Sequence, residues 1–302
     1  MARCFVTGNR GYIGSHLSLA LKESGHEVRG IDLKVPQGQD VRRDLHHHIS
    51  FKPEYIFHLA AIPQVQYSVE NPSETLSNNV YGTSKVLEFA KNVGAKRVIF
   101  SSSAAIYGNG NGPVSPYAVQ KLMSESECEL YSGLYGIDTV SLRYFNVYSA
   151  DQPCDNAYAT VIANWIRALR AGSKPYITGD GEQSRDMIHV SDIVSANIFA
   201  MNFEENFHGR RYDVGTGKTI SLNKIKNFIL EHHPSVEFDY VPSREGDVVY
   251  SCAQTAPLRN CGWESSVSIE RGLRECFAKG EKDETRRSST WSNYDGASEI
   301  TT

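Results

Sequence analysis

Tyr117 and Lys121, four residues apart in "SPYAVQK", are the pair in this 302-residue chain best suited to moving a proton. A free phenol, with a pKa near ~10, is a poor base at neutral pH, but a nearby ammonium favours the phenolate, and each unit of lowering is worth about 1.4 kcal/mol. Such a base can take the proton of an alcohol while hydride leaves the carbon that bears it. The spacing brings the two together only on a helix, where residues i and i+4 share a face. Ser115 is a suitable N-cap and Pro116 suits the first helical position, so a helix is predicted over Pro116–Tyr135.

Tyr and Lys at this spacing also occur by chance on surface helices. What gives the pair weight is "FSSSAAIYG" just before it, which ends a predicted strand at Ser101, Ser102 and Ser103. Parallel sheets bind ligands at the carboxyl ends of their strands. Ser103 there can pass a proton between substrate and Tyr117 or hold a substrate hydroxyl; the alternative is that these serines only cap the strand end.

Hydride needs an acceptor, and the N-terminus offers a place for one. Strand-like "ARCFVTG" runs into "GNRGYIGSHLSLAL", with Gly8, Gly11 and Gly14 at the turn into a helix. Such a turn lets backbone N–H groups approach a pyrophosphate, and the helix N-terminus adds partial positive charge. A second apolar segment, "EVRGID", ends at Asp32, about the twenty-residue distance at which an acid meets the adenosine ribose. A carboxylate there accepts from both ribose hydroxyls and repels a 2′-phosphate, favouring NAD over NADP, with Lys34 acting slightly against that preference. The alternative is a set of turn glycines with no ligand.

Short apolar stretches alternate with segments of helical period, predicting an α/β fold with a Rossmann-like, doubly wound parallel sheet. The strands are expected at Arg3–Thr7, Glu27–Ile31, Tyr55–Ala60, Arg97–Ser102 and Thr139–Tyr144, with a weaker one near Asp40. Further helices are expected near Gly14–Ser24 and Pro72–Val93. Residues 1–150 form the expected dinucleotide-binding domain, to which some later segments return, and 151–278 a smaller substrate lobe. The polar, Ser/Thr-rich stretch 279–302 is expected to be a disordered tail.

Composition excludes several classes. Hydrophobic residues at 40% and charged residues at 22% suit a folded, water-soluble chain. A net charge of −4 gives no general field for nucleic acid or anionic lipid, so phosphate recognition must be local. With no signal-peptide pattern and no apolar run near the ~20 residues of a membrane helix, a cytoplasmic protein without membrane contact is expected. Cys4, Cys128, Cys154, Cys252, Cys261 and Cys276 show no zinc-ligand or redox spacing, and adjacent His46, His47 and His48 on a helix would point apart, so no metal is expected.

At this point the chain resembles the extended short-chain dehydrogenase/reductase family, and within it the NAD-dependent nucleotide-sugar 4-epimerases acting on UDP-hexoses or UDP-N-acetylhexosamines. The likeness covers roughly Arg3 to Cys276 and rests on "TGNRGYIGSHL", "HLAA", "NNVYGT", "FSSSAAIYG", "SPYAVQK", "LRYFNVY", "GDGEQSRDMIHV" and "REGDVVYS", in family order. The resemblance implies that Tyr117 is the catalytic base, Lys121 its electrostatic partner and a ribose ligand, and Ser103 the assisting hydroxyl. It implies a cofactor surface made by Gly8, Gly11, Tyr12, Ile13, Gly14, Asp32, Leu33, Asp40, Val41, Leu59, Ala60, Ala61, Ser101 and Tyr144, with Asn79 as a structural asparagine nearby. For the nucleotide sugar it implies Gln64, Ser103, Asn146, Thr160, Val161, Arg185, Arg244, Asp247 and Ser251. A guanidinium fork suits phosphate oxygens; the alternative is that Arg185 with Asp186, and Arg244 with Asp247, are structural ion pairs.

The chain departs from the family pattern in places. "NGNGPV" between "IYG" and "SPYA" is shorter than usual, and Pro63 and Gln64 stand where N-acetylhexosamine epimerases tend to have small residues. Ser251, by contrast, stands where strict UDP-galactose epimerases tend to carry a tyrosine, and its small side chain leaves room for an N-acetyl group. Dehydratases of the family usually carry an Asp-Glu pair where Ala104 and Ala105 stand here, so elimination lacks its acid and base. The resemblance thus implies C4 epimerisation through a 4-keto sugar, of UDP-N-acetylglucosamine/UDP-N-acetylgalactosamine or UDP-glucose/UDP-galactose. Alternatives are a UDP-glucuronate decarboxylase or reductase, or a non-catalytic NAD-binding scaffold. Pairing of the helices near Pro72–Val93 and Pro116–Tyr135 into a four-helix interface implies a homodimer.

Overall fold

The computed structural model describes residues 1–34, 39–154, 160–243 and 248–277. In the first half, strands β1 (Arg3–Thr7), β2 (Glu27–Ile31), β3 (Tyr55–His58), β4 (Arg97–Ser103) and β5 (Asp138–Tyr144) alternate with helices. These are α1 (Tyr12–Glu23), α2 (Val65–Glu70), α3 (Pro72–Leu76), α4 (Gly82–Val93) and α5 (Pro116–Tyr135). The second half adds β6 (Asn146–Tyr148), α6 (Val161–Arg170), β7 (Tyr176–Thr178), β8 (Ser184–His189), α7 (Val190–Asn202), β9 (Arg211–Val214) and β10 (Thr219–Ser221). It closes with α8 (Leu222–His232), β11 (Asp239–Val241), β12 (Tyr250–Ser251), α9 (Ala256–Asn260) and α10 (Ile269–Phe277).

The main sheet has six strands in the order β2-β1-β3-β4-β5-β9, parallel throughout. From β1 the chain moves outward to β2 and then returns to β3 on the other side. That reversal opens a crevice beyond the carboxyl ends of β1 and β3, the place where doubly wound sheets take ligands. β1, β3, β4 and β5 are almost wholly buried because both faces are covered, while β2 at the sheet edge leaves Arg29 exposed. Cys4 and Val6 point into one core with Leu17 and Leu21 of α1 and Ile193 and Ala196 of α7. Phe5 points into the other, against Val86, Phe89 and Ala90 of α4. Each fully buried Leu or Phe of this kind is worth about 1.5–3 kcal/mol.

β6, β10 and β12 all pair with β8 in a separate small sheet, and β11 pairs with β7. A third core, built on Ile162, Trp165, Ile177, Ile225 and Leu273, holds this lobe together. β9 and α7, late in the sequence, belong to the main sheet and its cover.

Two expected elements differ. No strand forms near Asp40 among the described residues. Asp40 instead accepts from the Arg42 backbone N–H at 2.8 Å and from the Arg42 guanidinium at 2.6–3.0 Å. A carboxylate that satisfies its own turn competes with a sheet ladder, and the chain goes on into a 3₁₀ helix at Asp44–Phe51. The helix expected over Pro72–Val93 is real but divided, with a π turn at Ser77–Tyr81 between α3 and α4. Such turns often mark functional positions, and this one carries Asn79. Among the described residues no helix is long and apolar enough to cross a membrane, and no group of His, Cys, Asp or Glu could hold a metal ion. The stretch 279–302 lies outside the described residues.

Candidate active site

The glycine turn is shaped by contact. Gly8 has φ +72°, and a Cβ there would stand 2.8 Å from the Ala60 backbone nitrogen; on Gly14 it would stand 2.0 Å from the Gly8 carbonyl oxygen. The loops after β1 and β3 are therefore backbone against backbone. Gly11 is the N-cap of α1 and offers no side-chain acceptor, so the first-turn N–H groups, among them those of Tyr12 and Ile13, are not capped by it and suit an anion. Asp32, buried at the end of β2, accepts from the Arg10 and Lys34 backbone N–H groups at 2.9 Å each, which fixes its carboxylate beside the same turn. Leu33 follows it, exposed, and Val41 is buried beneath α4.

A buried relay joins this turn to α5, and its proton directions can be read. The Thr83 hydroxyl donates to the Asn79 carbonyl at 2.6 Å, so it accepts from His58 Nε2 at 3.0 Å. Nδ1 of His58 is then the acceptor for the Thr7 hydroxyl at 2.7 Å, and Thr7 Oγ1 accepts from the Ala60 N–H at 3.1 Å. Burial, reinforced by the Lys121 charge, brings His58 down to about 3, so it is neutral. The Asn79 side chain accepts from the Ile62 N–H at 2.8 Å, donates to the Ile62 carbonyl at 3.1 Å, and donates to Gln120 of α5 at 2.8 Å. It is a structural clamp holding the loop of Leu59, Ala60 and Ala61 in place.

Helix α5 begins as its sequence dictates, with the Ser115 hydroxyl accepting from the Ala118 N–H at 3.2 Å and Pro116 in the first turn. Ser68 of α2 also accepts from the Tyr117 N–H at 3.1 Å. Tyr117 and Lys121 are both buried, 7% and 4% exposed, and Lys121 Nζ donates to the Ser101 carbonyl at 2.7 Å. Burial brings Lys121 down to about 8, with Cys128 and Glu125 acting the other way. Burial likewise pushes the Tyr117 phenol up to about 12, against a hydrogen bond with Ser103 that lowers it. The lowering expected from the spacing alone is thus outweighed by desolvation: the ammonium lies 5.8 Å from the ring centroid and spends a donor on Ser101. Tyr144, at the end of β5, is also buried, with its hydroxyl tied to Asn197 of α7 at 3.0 Å.

In the small sheet, Asn146 donates to the Asp186 carbonyl at 2.8 Å and approaches Ser251 Oγ at 3.4 Å. Arg185 is the register partner of Ser251, so Asn146, Arg185 and Ser251 gather on adjacent strands. The Arg185/Asp186 ion-pair alternative does not describe Asp186, whose two oxygens accept from Thr216, Gly217 and Ala253 backbone N–H groups at 2.9–3.0 Å. Thr160 caps α6 through the Ala163 N–H at 3.4 Å and donates to Gln152 at 2.9 Å, with Val161 next in the helix. Gln64 is the residue before α2. Arg244 and Asp247 lie outside the described residues. The short "NGNGPV" loop reaches the residues before β12, Asn109 accepting from the Val249 N–H at 3.0 Å.

Sequence reasoning missed His58, Thr7, Thr83 and Glu125, and took Ser102 only as part of the strand end. Glu125 left a signal, as a carboxylate four residues beyond Lys121 on the inward face of α5.

A crevice at a topological switch point, a side-chain-free glycine turn and a Tyr/Lys/Ser cluster are what an NAD enzyme requires, and comparison with known proteins agrees. Residues 4–215 match the model of the NAD dependent epimerase/dehydratase family. The chain belongs to that family. NAD is its cofactor, and the glycine turn, Asp32 and the Leu59–Ala61 loop fit it. A putative UDP-glucose 4-epimerase of Methanocaldococcus jannaschii is 33% identical, over 89% of this chain and 95% of its own. Among solved structures, a UDP-N-acetylglucosamine 4-epimerase from Methanobrevibacter ruminantium, in complex with UDP-N-acetylmuramic acid, superposes with a TM-score of 0.85 at 33% identity. That match covers 91% of this chain and 97% of that one. A UDP-glucose 4-epimerase of Thermus thermophilus in complex with NAD gives 0.81 at 28% identity, covering 91% and 97%.

Proposed function

We propose that this protein epimerises C4 of a UDP-hexose or UDP-N-acetylhexosamine through a transient 4-keto sugar. The observation that carries the reading is the cluster of buried Tyr117 and Lys121 with half-buried Ser103 at the carboxyl end of β4. NAD, held by the glycine turn, Asp32 and the Leu59–Ala61 loop, would supply a reversible hydride acceptor and, when oxidised, positive charge beside Tyr117. Tyr117 takes the proton from the C4 hydroxyl and gives it back after the sugar has turned, with Ser103 orienting that hydroxyl. Lys121 opposes the burial that holds the phenol protonated. Asn146, Arg185 and Ser251 form the wall against which the nucleotide sugar is held, and the small Ser251 side chain favours acceptance of an N-acetyl group. Ala104 and Ala105 follow Ser103, so elimination of water lacks a carboxyl pair there.

The test is product analysis with UDP-N-acetylglucosamine and UDP-glucose side by side. Appearance of the C4 epimer is expected, and Tyr117→Phe should retain NAD while losing nearly all turnover. No conversion across UDP-, GDP- and dTDP-sugars would support a non-catalytic scaffold instead. We also propose a homodimer. Val119, Met123, Leu130 and Leu134 are exposed along α5, with Leu76 and Tyr81 nearby in sequence to α4, an apolar surface suited to a second copy. Sedimentation at micromolar concentration tests it.

A further inference from the structure

Glu125 lies one helical turn beyond Lys121 on α5, fully buried, and the chemistry above does not use it. One of its oxygens accepts from the Ser102 hydroxyl at 2.6 Å and from Arg143 Nε at 2.8 Å; the other accepts from Arg143 Nη2 at 2.7 Å and lies 3.5 Å from Arg211 Nε. Arg143 is held in turn, donating to the Tyr107 hydroxyl at 2.6 Å, which donates to Asp213 at 2.6 Å. A buried ion pair is weak support for stability, since well-packed apolar residues often serve as well. Its position says more. Ser102 sits between the two residues of β4 that meet the catalytic helix: Ser101, whose carbonyl receives Lys121, and Ser103, which bonds to Tyr117.

We propose that Glu125 is a positioning residue: held rigid by Arg143, it grips the Ser102 hydroxyl and so fixes the end of β4 against α5, setting Ser103 and Lys121 in register with Tyr117. This rests on the epimerase reading and deepens it. An error of about 1 Å among reacting groups can cost on the order of a hundredfold in rate, and the Ser102 hydrogen bond ties α5 to β4 at the residue between Ser101 and Ser103.

The deciding variant is Ser102→Ala, which leaves the Glu125/Arg143 pair intact. In NAD-loaded protein it is expected to lower kcat by about tenfold or more, with KM, NAD content and the thermal midpoint close to wild type. Glu125→Gln, where it folds, should show the same split, and the double variant should be no slower than Glu125→Gln, because both act through one bond. A Ser102→Ala kcat within about twofold of wild type, or multiplicative losses in the double variant, overturns the proposal. A wild type that turns over neither UDP-hexoses nor UDP-N-acetylhexosamines would refute the epimerase reading instead. In that case the placement is read from the Tyr117 ionisation, followed as tyrosinate absorbance against a Tyr117→Phe reference in NAD-loaded protein. Ser102→Ala should move that titration upward, and an unmoved titration overturns the proposal.

Discussion

Replacing Lys121 with methionine removes the ammonium and keeps most of the side-chain volume. Nζ lies 5.8 Å from the centre of the Tyr117 ring. Two unit charges at that separation interact by about 3 kcal/mol at an effective dielectric of about 20, or roughly two pKa units of the phenol. Burial pushes Tyr117 up to about 12, so with Tyr117 as the proposed base, turnover at neutral pH should follow the phenolate fraction. Lys121→Met is expected to lower kcat about a hundredfold near neutral pH. The sign of the pH dependence is fixed by the lysine. Burial brings its pKa to about 8, so wild type loses the charge as pH rises through that value, and the curves for wild type and variant should converge above it. The assay is chromatographic separation of the UDP-hexose epimers across pH, with NAD content measured alongside because Lys121 is also expected to hold the cofactor ribose. A variant within about threefold of wild type near neutral pH, or a ratio that stays constant as pH rises, would refute the electrostatic role.

Other consequences can be checked directly. Gly14→Ala would put a Cβ 2.0 Å from the Gly8 carbonyl oxygen, spreading the turn; NAD should be absent after gel filtration. His58 is held neutral, at about 3 against an ordinary 6.5, so between those values the unfolded chain binds a proton that the native state refuses. Stability should therefore fall as pH drops through this window, by up to about 1.4 kcal/mol per unit. His58→Gln should flatten that slope in urea titrations, and an equal slope would contradict the assignment. Ser251→Tyr should depress kcat/KM for UDP-N-acetylglucosamine by about tenfold or more relative to UDP-glucose, measured with both substrates.

The sequence by itself determined what depends on near neighbours. Ser115 and Pro116 start α5 and i,i+4 spacing joins Tyr117 to Lys121, so the helix Pro116–Tyr135 was legible to the residue. The pattern placed β1 and β2 at their observed bounds: β1 is buried along nearly its whole length, which leaves little choice of composition, while β2, at the sheet edge, keeps Arg29 exposed. The glycine spacing before α1 and the acid at Asp32 read as a dinucleotide site for the same local reason. Where a local polar group could satisfy the backbone in another way, at Asp40, the expected strand did not form. What only the tertiary structure decided was desolvation and long-range pairing. Whether Lys121 lowers Tyr117 depends on how deeply both are buried, and burial proved the larger effect. His58 became a directed relay only because Thr7 and Thr83, distant in sequence, close on its two nitrogens. Glu125 meets Ser102 across twenty-three residues, and no periodicity in either segment encodes that distance. Short-range geometry is written in residue order, while the dielectric around a charge and the partner across a core are set by how the layers pack.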